Sequence, residues 1–480
     1  MIRSNKLLTV FGFCATALVL AFSPRDEVMA WVVTAAGAGA IIFWLGLERD
    51  ERERYNMLRF FIIALVLRLG ATFLLYKLDL ISRSGLGGGD DLLWKNMWNR
   101  SRIWDQPWKE YPNSILGIFD GLKSRQNYGY SYLGGQFFAI TEVRSQIALS
   151  AFNTLAGSVS VVLVYRTARA FWSEKGALFA GWLATLAPSF IFWSVMTQKE
   201  AWVILLTCCT VWAFSRFVTT WSPLHFLLTV GFAIMAAAFR FYVAPVMLVA
   251  IMLGVVMWRS KRPGVTLTAS VCGLTVLAIM LLGLHIVHFD AAGFLQNQLE
   301  EARNVGNYLA TTAAVKTQNG NFGTRSGVIL PYDIKTPSGI AMTLLVGGLY
   351  VLFSPFPWQL SGRQFAVIPE LLLYWGLGAF FVLPGIVHTW RTNRRVLYAV
   401  FLFLGPLILL YSIGFGNVFL TYRMRAQMLP FHFLLAAGGY EWYLLRRRNA
   451  QLAHDPQAQA RQFALDRLRA ALRGPSVVRQ

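Results

Sequence analysis

Residues 48–80 read ERDERERYNMLRFFIIALVLRLGATFLLYKLDL. A charged segment carrying Arg49, Arg52 and Arg54 gives way abruptly to an apolar run from Met57 to Leu80. A run of that length suits a helix crossing a hydrocarbon core of roughly 30 Å. Arginines gather on the cytoplasmic side of such helices, so this one is read as running outward. The rest of the chain repeats the pattern. Of its 480 residues 56% are hydrophobic, 15% aromatic and only 14% charged, with a mean hydropathy of +0.49. That leaves too little polar surface for an ordinary soluble protein. Strand-like alternation is absent, so the backbone must satisfy itself within helices, and the fold class is all-α and polytopic.

Working outward from Met57 to Leu80, earlier spans are expected at Leu7 to Phe22, a retained anchor rather than a cleaved signal, and at Met29 to Leu47. Later ones are expected at Gln146 to Tyr165, Ala177 to Val195, Ala201 to Phe217, Leu224 to Phe239, Tyr242 to Trp258 and Val265 to Val287. Val367 to Val387, Leu397 to Tyr411 and Pro430 to Leu445 complete the set. Ile340 to Phe353 is short for a crossing and is read as interfacial, which keeps Arg391, Arg394 and Arg395 inside. The expected total is about twelve spans with both termini cytoplasmic. Residues 1–445 form one transmembrane domain with outer-face loops at 81–145 and 288–366, and 446–480 form a basic tail with amphipathic character.

The net charge of +21 follows this topology. Lys and Arg fall in short clusters between spans and in the tail, so they indicate membrane orientation and no nucleic-acid partner. Phe463, Leu465, Leu468 and Leu472 beside Arg461, Arg467, Arg469 and Arg473 suit a helix lying on an anionic leaflet. Cys14, Cys208, Cys209 and Cys272 sit inside apolar runs without metal-ligand spacing, and read as packing residues.

The polar residues that break the pattern share the outer face. Asp90 and Asp91 follow Gly87, Gly88 and Gly89 just beyond a span, where each carboxylate disfavours ionisation of the other. Such a pair serves as a general base or as ligands of a divalent metal, and is otherwise a solvated turn. The loop behind it is rich in Trp94, Trp98, Trp104, Trp108, Tyr111, Tyr128, Tyr130 and Tyr132, aromatics that favour the headgroup zone and also stack on sugar rings. Lys199 and Glu200 stand between two spans on that face, and Arg240 between two more. Arg423 and Arg425 flank an outer span end against the insertion bias. Arginine forks suit phosphate oxygens. Carboxylates and arginines meeting at an outer surface suggest sugar transfer from a polyprenyl-phosphate donor, with Lys199, Glu200, Arg240, Arg423 and Arg425 as substrate-binding candidates.

At these residues the chain resembles the GT-C superfamily of integral-membrane glycosyltransferases, which includes protein mannosyltransferases and aminoarabinose transferases. Asp90-Asp91 followed by Trp94 looks like the acidic motif of the first outer loop. Pro188 to Ser194 with Lys199-Glu200 is similar to the second outer turn of bacterial members, and Tyr422 to Arg425 with Leu429-Pro430 to the start of their late helix. Pro355 to Trp358 resembles a motif of uncharacterised bacterial relatives. The resemblance implies Asp90 or Asp91 as base or metal ligand, Arg423 or Arg425 as the donor-phosphate contact, and a bacterial inner membrane with the active site on its periplasmic face. The chain departs from aminoarabinose transferases in lacking a Glu-Pro second acid, in whose place stand Tyr128 to Gln136, and in having no large outer domain after the last span. A polysaccharide repeat-unit polymerase or ligase is the alternative enzyme. A secondary transporter or flippase is the alternative of another class, disfavoured because the acids lie at one surface and no repeat divides the chain.

Overall fold

The computed structural model describes residues 27–77, 95, 97, 128–240, 243–257, 337–359, 367–413 and 418–454. Most of these are helical, with no strand among the described residues. In chain order the helices are α1 (Val28–Gly46), α2 (Glu51–Lys77), α3 (Tyr128–Thr141), α4 (Gln146–Phe171), α5 (Glu174–Leu186), α6 (Pro188–Val195) and α7 (Glu200–Thr220). There follow α8 (Pro223–Phe239), α9 (Val243–Met257), α10 (Pro337–Phe353), α11 (Ile368–Thr392), α12 (Arg394–Ile413) and α13 (Val418–His454). The expected spans at Leu7 to Phe22 and Val265 to Val287 and the basic tail beyond His454 lie outside the described residues.

Five helices, α1, α2, α4, α7 and α11, are long and apolar enough to cross a membrane, and six spans result if the bent pair α5–α6 counts as one. The protein is an all-α polytopic membrane protein. Of the most apolar stretch of each helix, 83% of residues are buried in α4 and 72% in α7, against 22% in α1 and 17% in α11. So α4 and α7 are core and α1 and α11 are rim. The rim presents Phe43, Trp44, Leu372, Leu373 and Phe380, large apolar side chains whose natural solvent is lipid. The middle of α13, residues 426–439, is buried all round, as a helix apolar on every face should be. There Gly385 of α11 meets the backbone of Leu435 and Gly439, an approach that a Cβ at Gly385 would block.

The two ends of the bundle differ chemically. At one end the turn between α1 and α2 is pinned to its neighbours by ion pairs from Glu48 to Arg166 at 2.9 Å, Glu53 to Arg169 at 2.6 Å and Arg52 to Glu174 at 2.6 Å. Two of the predicted basic turns therefore share one side. Along α4, Gln146 lies twenty residues before Arg166, a rise of about 30 Å, which matches the hydrocarbon thickness. The Gln146 end carries the remaining polar candidates.

Two helices differ from the sequence-based expectation. Ala177 to Val195 is not one straight span but the pair α5 and α6, bent by 53° at Pro188. Proline lacks an N–H and drives the preceding residue out of the helical region, and Ala187 is extended at φ −61°, ψ 119°. The last helix does not begin at Pro430 but runs from Val418, with Pro430 inside it. Because the helix starts at Val418, Arg423 and Arg425 sit on the first turns of α13, and Pro430 is buried within it.

Helix α10, expected at the interface, packs against α12 and α13. It turns Thr343 and Val351 inward and leaves Met342, Leu345, Leu349 and Phe353 exposed. Its placement is open to a direct measurement. With native cysteines replaced, a cysteine at Ser361 should react with an impermeant thiol reagent from outside and one at Asn393 should not. The reverse pattern would make α10 a crossing segment.

Candidate active site

The turn Met196–Lys199, between α6 and α7, is the scaffold of the site. It has no helical hydrogen-bond ladder, and buried polar side chains take over that role. Asn153 of α4 donates from Nδ2 to the Met196 carbonyl at 2.8 Å and to the Tyr130 hydroxyl at 2.7 Å, while its Oδ1 accepts from Trp202 Nε1 at 2.9 Å. Ser150 donates to the Val195 carbonyl. Gln146 Nε2 donates to Thr197 Oγ1 at 3.2 Å, and the Thr197 N–H reaches the Tyr76 hydroxyl at 3.3 Å. A buried network of this kind rigidifies what it holds, although Gln198 Oε1 in the same turn has no hydrogen-bond partner among the described residues. What it holds is the start of α7.

Lys199 is the N-cap of α7 and Glu200 its first residue. The Glu200 carboxylate is 0% exposed, at the positive end of the helix dipole. Two arginines close on it. Arg240, extended at φ −147°, ψ 96° after α8, donates from Nη2 to Oε1 at 2.5 Å. Arg423 of α13 donates from Nη2 to Oε2 at 2.9 Å, and its Nε lies 2.6 Å from Oε1. Removing charge from water is costly unless it is paired and hydrogen-bonded. The pairing here joins residues 40 and 223 positions apart in sequence.

Arg425 is the third arginine at this end and is 1% exposed. Its guanidinium lies between the rings of Tyr374, at 4.2 Å, and Tyr422, at 5.0 Å. Nη1 donates to the Ser354 carbonyl at 2.6 Å, whereas Nη2 has no hydrogen-bond partner among the described residues. Beside it Glu370, on the first turn of α11, accepts from the Ser189 N–H at 2.9 Å and from the hydroxyls of Ser189 and Tyr422. Trp193 lies between the two systems, 6.0 Å from Tyr422 and 5.9 Å from the Arg423 guanidinium.

Of the residues singled out from sequence, Glu200, Arg240 and Arg423 are thus in direct contact. Lys199 adjoins Glu200 along the chain, and Arg425 shares the first turns of α13 with Arg423. Asp90 and Asp91, expected as base or metal ligands, lie outside the described residues. Among the described residues no group of three or more His, Cys, Asp or Glu is placed to hold a metal. Cys208 and Cys209 are free thiols on α7. Sequence reasoning missed Glu370, although a lone acid inside an apolar span is itself a signal. It also missed Arg68 in α2, legible by the same rule.

Residues 128–286 match the family model of dolichyl-phosphate-mannose-protein mannosyltransferases. The protein is a membrane glycosyltransferase, and the family matched over this third of the chain is of the GT-C type. The matched segment contains α3 to α9, and therefore Lys199, Glu200 and Arg240, while Asp90, Asp91, Arg423 and Arg425 fall outside it. No curated protein matches the chain. Dolichyl phosphate mannose is a sugar carried on a polyprenyl phosphate, so members of the matched family draw on that class of donor. The family match sets the transporter and flippase reading aside.

Proposed function

We propose that this glycosyltransferase moves a sugar from a polyprenyl phosphate to an acceptor at the non-cytoplasmic face of a bacterial inner membrane, in the synthesis of cell-surface glycan. Asp90 or Asp91 takes the proton from the acceptor hydroxyl as its oxygen attacks the anomeric carbon. The bond from that carbon to the phosphate oxygen breaks, and the phosphate leaves with the electron pair. Lys199, Arg240, Arg423 and Arg425 form the cationic wall that receives it, and Glu200 holds two of those arginines in place.

The observation that carries this reading is a surplus of buried positive charge among the described residues. Arg240 and Arg423 share the one carboxylate of Glu200, and Arg425 has no carboxylate within ion-pair distance and keeps Nη2 without a partner among the described residues. A buried donor left unsatisfied is expensive unless a ligand completes it. A phosphate oxygen is the ligand a guanidinium suits best.

Arg425 offers the cleaner test, because the fork of Arg423 is already engaged on Glu200. Arg425→Ala should weaken binding of a polyprenyl monophosphate by about ten- to a hundredfold, the equivalent of about 1.5–3 kcal/mol for a charge-assisted hydrogen bond. Arg425→Lys should recover part of this, since it keeps the charge but loses the fork. Titration of the purified protein, with thermal stability measured alongside, decides the matter. Unchanged binding in a folded Arg425→Ala protein would remove this arginine from phosphate recognition.

A further inference from the structure

Arg68 sits in the middle of α2, is 0% exposed, and has no carboxylate within ion-pair distance among the described residues. Intramembrane arginines are costly and need a physical reason. The partners of this one supply it. Nε donates to Ser194 Oγ at 2.9 Å, Nη1 to the Ala64 carbonyl at 3.3 Å and Nη2 to the Ala184 carbonyl at 3.4 Å, and the guanidinium lies 5.6 Å from the centre of the Phe190 ring.

Ala184 stands four residues before Pro188, so its carbonyl is the one that would accept from the N–H that proline lacks. Ser194 lies on the far side of the break, near the end of α6. One guanidinium therefore bridges both halves of the bent pair, and it fills the hydrogen-bond position vacated at the bend. The bridge is also fitted from the side. A Cβ at Gly157 of α4 would lie 2.8 Å from Ser194 Oγ and 2.9 Å from Arg68 Nε, so only glycine leaves room there.

We propose that Arg68 is a positioning residue that fixes the angle between α5 and α6 from inside the membrane. By doing so it sets where α6 delivers the Met196–Lys199 turn, and hence where Glu200 stands among Arg240 and Arg423. Ser189 and Trp193 ride on the same short helix, so the contacts to Glu370 and Tyr422 depend on the same angle. The effect on catalysis rests on the phosphate-binding reading above, whereas the effect on the bend does not.

The experiment separates the two. Spin labels at Lys175 and Phe192, one on each half of the pair, report the bend as a distance distribution in the full-length protein. Polyprenyl monophosphate binding is measured on the same variants without labels. Arg68→Met should shift or broaden the distribution and weaken binding about tenfold, Arg68→Lys should do so less, and Ser194→Ala, a milder change, about threefold. Gly157→Ala should resemble Arg68→Met although the arginine is intact, because the added methyl displaces the bridge. An unchanged distribution in folded Arg68→Met overturns the proposal. If Arg68→Met does not fold, an unchanged distribution in both Arg68→Lys and Ser194→Ala overturns it equally. A shifted distribution in a protein whose wild type binds no polyprenyl monophosphate would retain the bend assignment and sink the phosphate reading.

Discussion

Glu200→Gln is expected to be among the most destabilising single substitutions in this protein, at about 3–5 kcal/mol, because it leaves two arginines facing each other without their shared counter-ion. Glu200 is fully buried and both partners are nearly so, at 3% exposure for Arg240 and 13% for Arg423. Neither cation can easily turn to solvent. The double variant Glu200→Gln/Arg240→Gln should regain a large part of the loss, since it removes one of the two unpaired charges along with the acid. Thermal unfolding of the detergent-solubilised protein provides the comparison. A single variant as stable as wild type would mean that the arginines have other partners and that Glu200 is not what holds them. Stability alone is read from the double variant, because Arg240 belongs to the proposed cationic wall and its loss lowers turnover by itself.

The second large effect is expected at the acidic pair. Asp90→Asn or Asp91→Asn should reduce turnover by about a hundredfold or more while leaving thermal stability and polyprenyl monophosphate binding near wild type. The substitution keeps shape and removes the ability to take a proton, so a loss confined to turnover points to chemistry rather than packing. Activity is read by transfer of radiolabelled sugar from the polyprenyl-phosphate donor. Full activity in both single variants would leave the loop without a catalytic role, and the base would then be sought among the carboxylates already in the bundle, Glu370 first.

Much of this was legible in the sequence, for a reason that also sets its limit. In a bilayer the length and polarity of each apolar run fix how deep a residue sits. Counting spans alternately in and out was enough to place Lys199, Glu200, Arg240, Arg423 and Arg425 at one end, opposite the arginines near Glu48 and Arg166. The all-α class followed from the same arithmetic. Hydropathy is nearly blind to rotation about the helix axis, however, because lipid and protein core are equally apolar and only packing sets which way a helix faces. That is why the sequence could assign Arg240 and Arg423 to one level but not to one carboxylate. It is also why Arg425 was grouped with Arg423, although the helix turns their side chains to different partners, Tyr374 and Ser354 for one and Glu200 for the other. Reading Ala177 to Val195 as one span passes over the break at Pro188, and the direction of the bend and the arginine that fills it depend on α2, α4 and the α5–α6 pair together. Depth was written in the order of residues along the chain; which side chains meet at a given depth was decided by how the helices pack.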